Sequence, residues 1–311
     1  MSDQIAHKAA QLWGISPDAV KLAARRENVV YRARTTNGEA ALRLHRPGYR
    51  TAQELQSEMQ WMQHLAQGGL AVPLPIASAS GALIEMVDDT PISVLKWLPG
   101  APSGAGDRLD VSDPLAFVNE LGRSMARLHD LSDAWTPPVD FTRPSWDLNG
   151  LLGDDPLWGR FWENPDLTQD QAAILQDTRQ KAHDLLSGME DRLDYGLIHA
   201  DIITENILVE GTQVSLIDFD DGGWGFRAFE LATFLMRFLN QPNYADLRDA
   251  LLGGYATRQA VDPQMLDFFI LLRALTYPGW IIPRRHEPGG AERSTRAIRT
   301  ALPLAQKFLQ T

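Results

Sequence analysis

The sequence reads as an α+β chain in two unequal parts, on three observations. Short alternating segments broken by turn residues fill roughly the first hundred positions, while long stretches of helical period fill most of the remainder. Residues 98–104, Leu-Pro-Gly-Ala-Pro-Ser-Gly, form a Pro/Gly/Ser-rich join of the kind that connects lobes. The expected organisation is therefore a β-rich lobe with one helix over 1–97, a hinge over 98–104, and a larger, mainly helical lobe over 105–311.

Each element has a local reason. Ser2 opens a short helix. Residues 28–45 alternate on either side of Thr36-Asn37-Gly38, and Asn-Gly between alternating segments signals a β-hairpin. From 51 to 67 the period becomes helical, with Leu55, Met62 and Leu65 on one stripe, and Gly68-Gly69 ends the run. Strands are expected at 75–78, 82–87 and 92–97. Beyond the join, helices are expected at 113–131, at 168–186 behind a Thr-Gln-Asp-Gln capping pattern, and at 226–239, 245–257, 263–275 and 291–310. Strands at 195–199, 207–209 and 214–218 interrupt them.

Composition narrows the functional classes. With 44% hydrophobic residues and 9 Trp, the chain can bury a core, which excludes a disordered chain. Its 29 Lys+Arg against 40 Asp+Glu give a net charge of -11, which disfavours a nucleic-acid partner and favours a cationic substrate. Having no Cys, it has no disulfide, thiolate nucleophile or cysteine metal site, as suits a reducing compartment. The start MSDQIAHKAAQLWGI has no secretory pattern, and the apolar stretch 268–282, broken by Arg273 and Pro278-Gly279, reads as too short for a bilayer. A cytoplasmic protein without a membrane partner is expected.

The chemistry concentrates between Gly196 and Asp220. Two apolar strands flank a polar loop carrying His199, Asp201 and Asn206, and a second loop presents Asp218 and Asp220 just after another apolar strand. Phosphoryl transfer needs such groups: a carboxylate to accept a hydroxyl proton, and an amide oxygen with a carboxylate to hold Mg²⁺ against phosphates.

The pattern His199-x-Asp201-x-x-x-x-Asn206, with Asp218-Phe219-Asp220 twelve residues after Asn206, resembles the catalytic and metal loops of the aminoglycoside phosphotransferase, choline kinase and type II homoserine kinase superfamily. Leu121-Gly122, Leu128-His129, Phe229-Glu230-Leu231-Ala232 and the run Ala-Leu-Arg-Leu-His-Arg-Pro at 41–47 extend the likeness over nearly the whole chain. The resemblance implies a bilobal, protein-kinase-like fold with ATP in the cleft. It implies Asp201 as catalytic base or hydroxyl orienter, Asn206 and Asp218 as Mg²⁺ ligands, His199 as the residue holding the catalytic loop, and Arg43 at the strand position that touches the ATP phosphates. Asp220 either binds Mg²⁺ or braces its loop.

The helix suggests a partner for Arg43. Glu58 shares the stripe of Leu55, Met62 and Leu65, where an unpaired charge is costly, and Arg43, on the strand face opposite Leu42 and Leu44, is the cation best placed to meet it. Glu54, one turn earlier, is the alternative. His129 reads as a packing residue and Glu230 as a cap or brace. Trp224, in the glycine-flanked Asp221-Gly-Gly-Trp-Gly225, is either core or an aromatic face for an ammonium group.

Two features depart from protein kinases: the loop 23–28 has no glycine to cradle phosphate, and Asp220 stands where most of them have Gly. The expected function is therefore ATP- and Mg²⁺-dependent phosphorylation of a small, amine-bearing alcohol. The alternatives are a stress-response type Ser/Thr protein kinase and a nucleotide-binding module without catalysis.

Overall fold

The computed structural model describes residues 2–25 and 28–311. In chain order it contains α1 (Ser2–Leu12), β1 (Val20–Arg25), β2 (Val29–Thr35), β3 (Gly38–Leu44), α2 (Ala52–Gln67), β4 (Ile84–Val87), β5 (Thr90–Lys96), β6 (Ala101–Pro102), β7 (Gly104–Ala105), β8 (Arg108–Leu109), α3 (Pro114–Asp133), β9 (Ser145–Trp146) and α4 (Leu148–Leu152). There follow α5 (Gln169–Ser187), β10 (Tyr195–Ile198), β11 (Ile207–Glu210), β12 (Gln213–Leu216), β13 (Gly223–Phe226), α6 (Arg227–Leu235), α7 (Tyr244–Tyr255), α8 (Pro263–Trp280) and α9 (Gly290–Gln310).

The chain forms two compact units, each built from separate stretches. The first comprises residues up to Ser103 with Asp130–Arg143 and Glu205–Asp220; the second comprises Gly104–His129, Pro144–Thr204 and Asp221–Thr311. The expected boundaries at 97 and 104 follow chain order, whereas compactness adds two later segments to the first unit.

In the first unit an antiparallel sheet runs in the order β1-β2-β3-β5-β4. β2 and β3 form the expected hairpin, from Val29 opposite Leu44 to Thr35 opposite Gly38, and the Thr35 hydroxyl closes its turn on the Asn37 N–H. Alternation decides which face is buried: Tyr31, Ala33, Ala40, Leu42 and Leu44 pack with Ala6, Ala9 and Ala10 of α1. That leaves Arg43 on the other face. α2 begins at a complete capping box between Thr51 and Glu54.

Three expectations for this unit are corrected. Residues 23–25, read as loop, belong to β1, whose side chains are nearly all exposed and so carry no alternating signal; Arg26 and Glu27 of that loop lie outside the described residues. Residues 75–78 make only an isolated bridge, Pro75 to Leu95. The join at 98–104 is more than a connector, since β6 pairs with β11 in a small sheet of order β12-β11-β6. Gly100, at φ +103, allows this approach: a Cβ there would lie 2.7 Å from the Val209 carbonyl oxygen.

The second unit is mostly helical, with a three-stranded sheet of order β10-β13-β9. The Thr168 capping box on Gln171 opens α5 as expected. Gly223 starts β13 so close to Pro144 that a Cβ would meet its carbonyl oxygen at 2.1 Å. The expected helix at 226–239 is α6 followed by a 3-10 turn, and that at 263–275 runs on through Pro278 to Trp280. With its following turn α8 spans 22 residues, and its most apolar 18-residue window has mean hydropathy 1.4, so the judgement that this stretch is too short for a membrane does not hold on length and composition. Its most apolar window is 72% buried inside the protein, as befits a core helix.

Candidate active site

In the first unit the functional groups gather around Arg43, which is 5% exposed. Its Nη1 donates to Glu58 Oε1 at 3.1 Å, while Nη2 donates to Asp218 Oδ1 at 3.4 Å and to Asp220 Oδ1. The partner inferred from the helix stripe is thus correct, and Glu58 is fully buried. Arg143 reinforces the group: Nη1 reaches Glu58 Oε2 at 3.4 Å and the Glu54 carbonyl at 3.0 Å, and Nη2 donates to the Phe219 and Asp220 carbonyls, both at 2.8 Å. Asn28 Nδ2 donates to Asp220 Oδ2, and its Oδ1 accepts the Arg46 N–H at 3.1 Å.

The charges tune one another. Burial opposes the Arg43 cation, but Asp220, Glu58 and Asp218 outweigh it and keep the guanidinium protonated. Burial likewise opposes the Asp220 charge, and Arg43 with the Asn28 hydrogen bond still holds that carboxyl below its usual range. Glu58 is pushed up by burial and then by the like charge of Asp220, against the pull of two guanidiniums. His45, hydrogen-bonded through Nε2 to Ser93 Oγ at 2.8 Å, is pushed down to about 3 by burial and by Arg43's charge, so it is neutral near pH 7.

The β11–β12 ladder brings Asn206 and Asp218 to one place. Ile207 faces Leu216, and the Ile217 N–H donates to the Asn206 carbonyl at 2.9 Å, so both residues stand just past the same end of the ladder. Asp218 adopts φ +69, a costly conformation for a residue with a Cβ, and the adjoining Phe219 is anchored edge-on to Trp61 at 5.3 Å. Of the carboxylates around Arg43, Glu58 and Asp220 are buried, whereas the Asp218 side chain is 48% exposed. An amide oxygen and an accessible carboxylate suit Mg²⁺, which keeps waters and takes its other ligands from phosphates. Accordingly, the described residues contain no cluster of three or more His, Cys, Asp or Glu fit to cage a metal.

In the second unit β10 leads into the loop that carries His199 and Asp201. Glu230, fully buried on α6, accepts the His199 N–H at 2.7 Å and the Ala200 N–H at 2.8 Å with its two oxygens. That clamp holds Ala200 at φ +65 immediately before Asp201. Burial raises the Glu230 carboxyl, while His199 and the two backbone donors pull it back. Behind Glu230, His129 packs with Nδ1 on the Tyr255 hydroxyl at 2.8 Å and Nε2 at 3.6 Å from Glu230, the structural part expected of it. His199 Nδ1 accepts the Asp201 N–H at 3.3 Å, and Asp201 Oδ1 accepts from Arg273 Nη2 at 2.8 Å.

Sequence reasoning missed Asn28, Arg143 and Arg273 as members of these clusters, since Asp220, the Phe219 carbonyl and Asp201, which they contact, lie 72 to 192 residues away. Only Arg273 left a trace, as a charge interrupting the apolar stretch 268–282.

With this geometry in hand, the comparisons are decisive for family. A model described as the phosphotransferase enzyme family (APH) matches residues 18–268. The chain belongs to the phosphotransferase enzyme family. Within it, a homoserine kinase from Sinorhizobium fredii is 30% identical over 251 residues, covering 79% of this chain and 72% of the relative. The solved structure of a microcompartment-associated aminopropanol kinase matches at TM-score 0.84 and 28% identity, over 99% of this chain and 97% of that one. An amicoumacin kinase solved in complex with AMP-PNP, Ca²⁺ and Ami matches at TM-score 0.79 and 21% identity, over 98% and 93% of the two chains. These likenesses give the chain the α+β, protein-kinase-like fold of small-molecule phosphotransferases, as its motifs implied.

Proposed function

We propose that the chain transfers the γ-phosphoryl group of ATP to the hydroxyl of a small amine-bearing alcohol. The observation that carries the reading is the convergence of Asn206 and Asp218 at one end of the β11–β12 ladder beside a protonated, triply paired Arg43. ATP is supported by the AMP-PNP held in the amicoumacin kinase, and a divalent ion by the Ca²⁺ there. Homoserine and aminopropanol kinases among the similar proteins support an amino alcohol as acceptor.

Asn206 and Asp218 would hold Mg²⁺, which when bound neutralises charge on the phosphates. Asp220, with both oxygens engaged by Arg43 and Asn28, is assigned the bracing role over the ligand role. Arg43, held from both sides, offers a fixed cation to the phosphates without reorganising. Asp201 accepts the hydrogen bond of the acceptor hydroxyl and then its proton, from a loop that Glu230 and His199 keep in shape. A peptide acceptor has little support, because the stretch from Phe219 to Phe229 is taken up by the metal loop, β13 and the start of α6, with no long activation segment.

The test is Mg²⁺-dependent ADP release by the purified protein over a panel of homoserine, aminopropanol, choline, ethanolamine, sugars and aminoglycosides. One chemical group is expected to stimulate the wild type. Asp201→Asn should lower that turnover by on the order of 10²–10⁴-fold while MgATP still binds. Unchanged turnover in the variant removes Asp201 from the mechanism, and MgATP binding without any stimulated turnover favours a non-catalytic nucleotide module.

A further inference from the structure

In the apolar run Phe-Phe-Ile-Leu-Leu-Arg-Ala-Leu of α8, Arg273 is the only charge and is fully buried. Its Nη2 donates to Asp201 Oδ1 at 2.8 Å and to the Tyr277 hydroxyl at 3.2 Å, and that hydroxyl also accepts from Arg237 Nη2 at 3.4 Å. Nε and Nη1 of Arg273 are buried and make no hydrogen bond among the described residues. Aromatic rings wall the guanidinium instead: its carbon lies 4.4 Å from the centroid of Trp158, 4.9 Å from Tyr277 and 5.4 Å from Phe229.

This is an expensive way to fill a core position. Each buried donor left unbonded carries the full desolvation penalty of its group, which the cation–π contacts with the rings offset only in part. Leucine or methionine, like the neighbours on α8, would pack there with no such cost. What Arg273 provides that they cannot is the ionic contact to Asp201, from a guanidinium the rings prevent from turning away.

We propose that Arg273 is a positioning residue for the phosphotransfer: boxed by Trp158, Tyr277 and Phe229, it fixes the rotamer in which the Asp201 carboxylate meets the acceptor hydroxyl. The proposal rests on the phosphotransferase reading above. It says that Arg273 acts through Asp201, so the two substitutions must fail to add.

The experiment is a kinetic double-mutant cycle on the full chain with the stimulating acceptor, reading labelled product so that slow variants are measurable. Arg273→Met is expected to lower kcat by on the order of 10²-fold, the scale of a misplaced reacting group, and to leave the KM for MgATP unchanged. Arg273→Lys should restore part of the loss, and in the Asp201→Asn background Arg273→Met should cause no further loss. The same fold loss in both backgrounds, or a folded Arg273→Met with wild-type kcat, overturns the proposal. Should Arg273→Met not fold, Arg273→Lys carries the same cycle, and an equal loss in both backgrounds again overturns it. A wild type that turns over no acceptor refutes the phosphotransferase reading and this proposal with it; a working wild type with an additive cycle refutes the proposal alone.

Discussion

Around Arg43, position is made by charge against charge. Two guanidiniums and two buried carboxylates, Arg43, Arg143, Glu58 and Asp220, lock together, with Asp218 at the exposed margin. Around Asp201 it is made mostly by the backbone: Glu230 holds two successive N–H groups of the loop, and a single guanidinium steadies the carboxylate. The difference suits the two tasks. Phosphates and a divalent ion need fixed charges in quantity, and charges survive burial only when paired. Asp201 is placed instead by a clamped loop and one buried cation.

Breaking the first arrangement should have the largest effect. Arg43→Met leaves Glu58 and Asp220 without their central cation and should cost about 3–5 kcal/mol of stability, the usual penalty for orphaning a buried charge. The double variant Arg43→Met/Glu58→Leu should recover much of that stability in urea unfolding and none of the ATP-dependent turnover. Recovery of turnover would show that Arg43 is only a structural ion-pair partner.

The second arrangement should break at Glu230. Glu230→Ala strands the His199 and Ala200 N–H groups, and two unsatisfied donors together cost on the order of 3 kcal/mol. A lower thermal midpoint and faster hydrogen exchange at those two amides are the expected readouts; unchanged exchange would mean that the loop is held by something else.

His45 sharpens the comparison through pH. Its folded value of about 3 lies below the ordinary 6.5, so the folded protein binds fewer protons than the unfolded chain between those values. Stability from this residue is therefore full above pH 6.5 and is lost as pH falls toward 3, by up to about 1.4 kcal/mol per pH unit. Urea midpoints of His45→Gln, compared with wild type over that range, should fall less steeply on acidification. Equal slopes would show that His45 is not held neutral.

Much of this was legible locally. The hairpin followed from Asn-Gly between alternating runs, α2 from its Thr51–Glu54 capping box, and the Arg43–Glu58 pair from a carboxylate on an apolar helix stripe. The Asn206–Asp218 pairing was implied by the family resemblance, and the β11–β12 hairpin that brings the two residues together is seen in the structure. What stayed hidden was set by distant partners or weak patterns. Arg143 meets the Phe219 and Asp220 carbonyls across 76 and 77 residues, Asn28 meets Asp220 across 192 residues, and β1 exposes too many side chains to alternate. β13 gave no strand signal because two of its four residues are glycines, required for close packing of Gly223 on Pro144 and of Gly225 on Ile198 and Trp146.

The most direct test of the account is phosphorus NMR of the reaction of MgATP with the stimulating amino alcohol, run with wild type and with Asp218→Asn. The account predicts a new phosphomonoester signal growing in step with ADP for the wild type, absent without Mg²⁺ and nearly absent in the variant. Equal product from wild type and Asp218→Asn, or product formed without divalent metal, would contradict the assignment of Asn206 and Asp218 as the metal pair of a phosphotransferase.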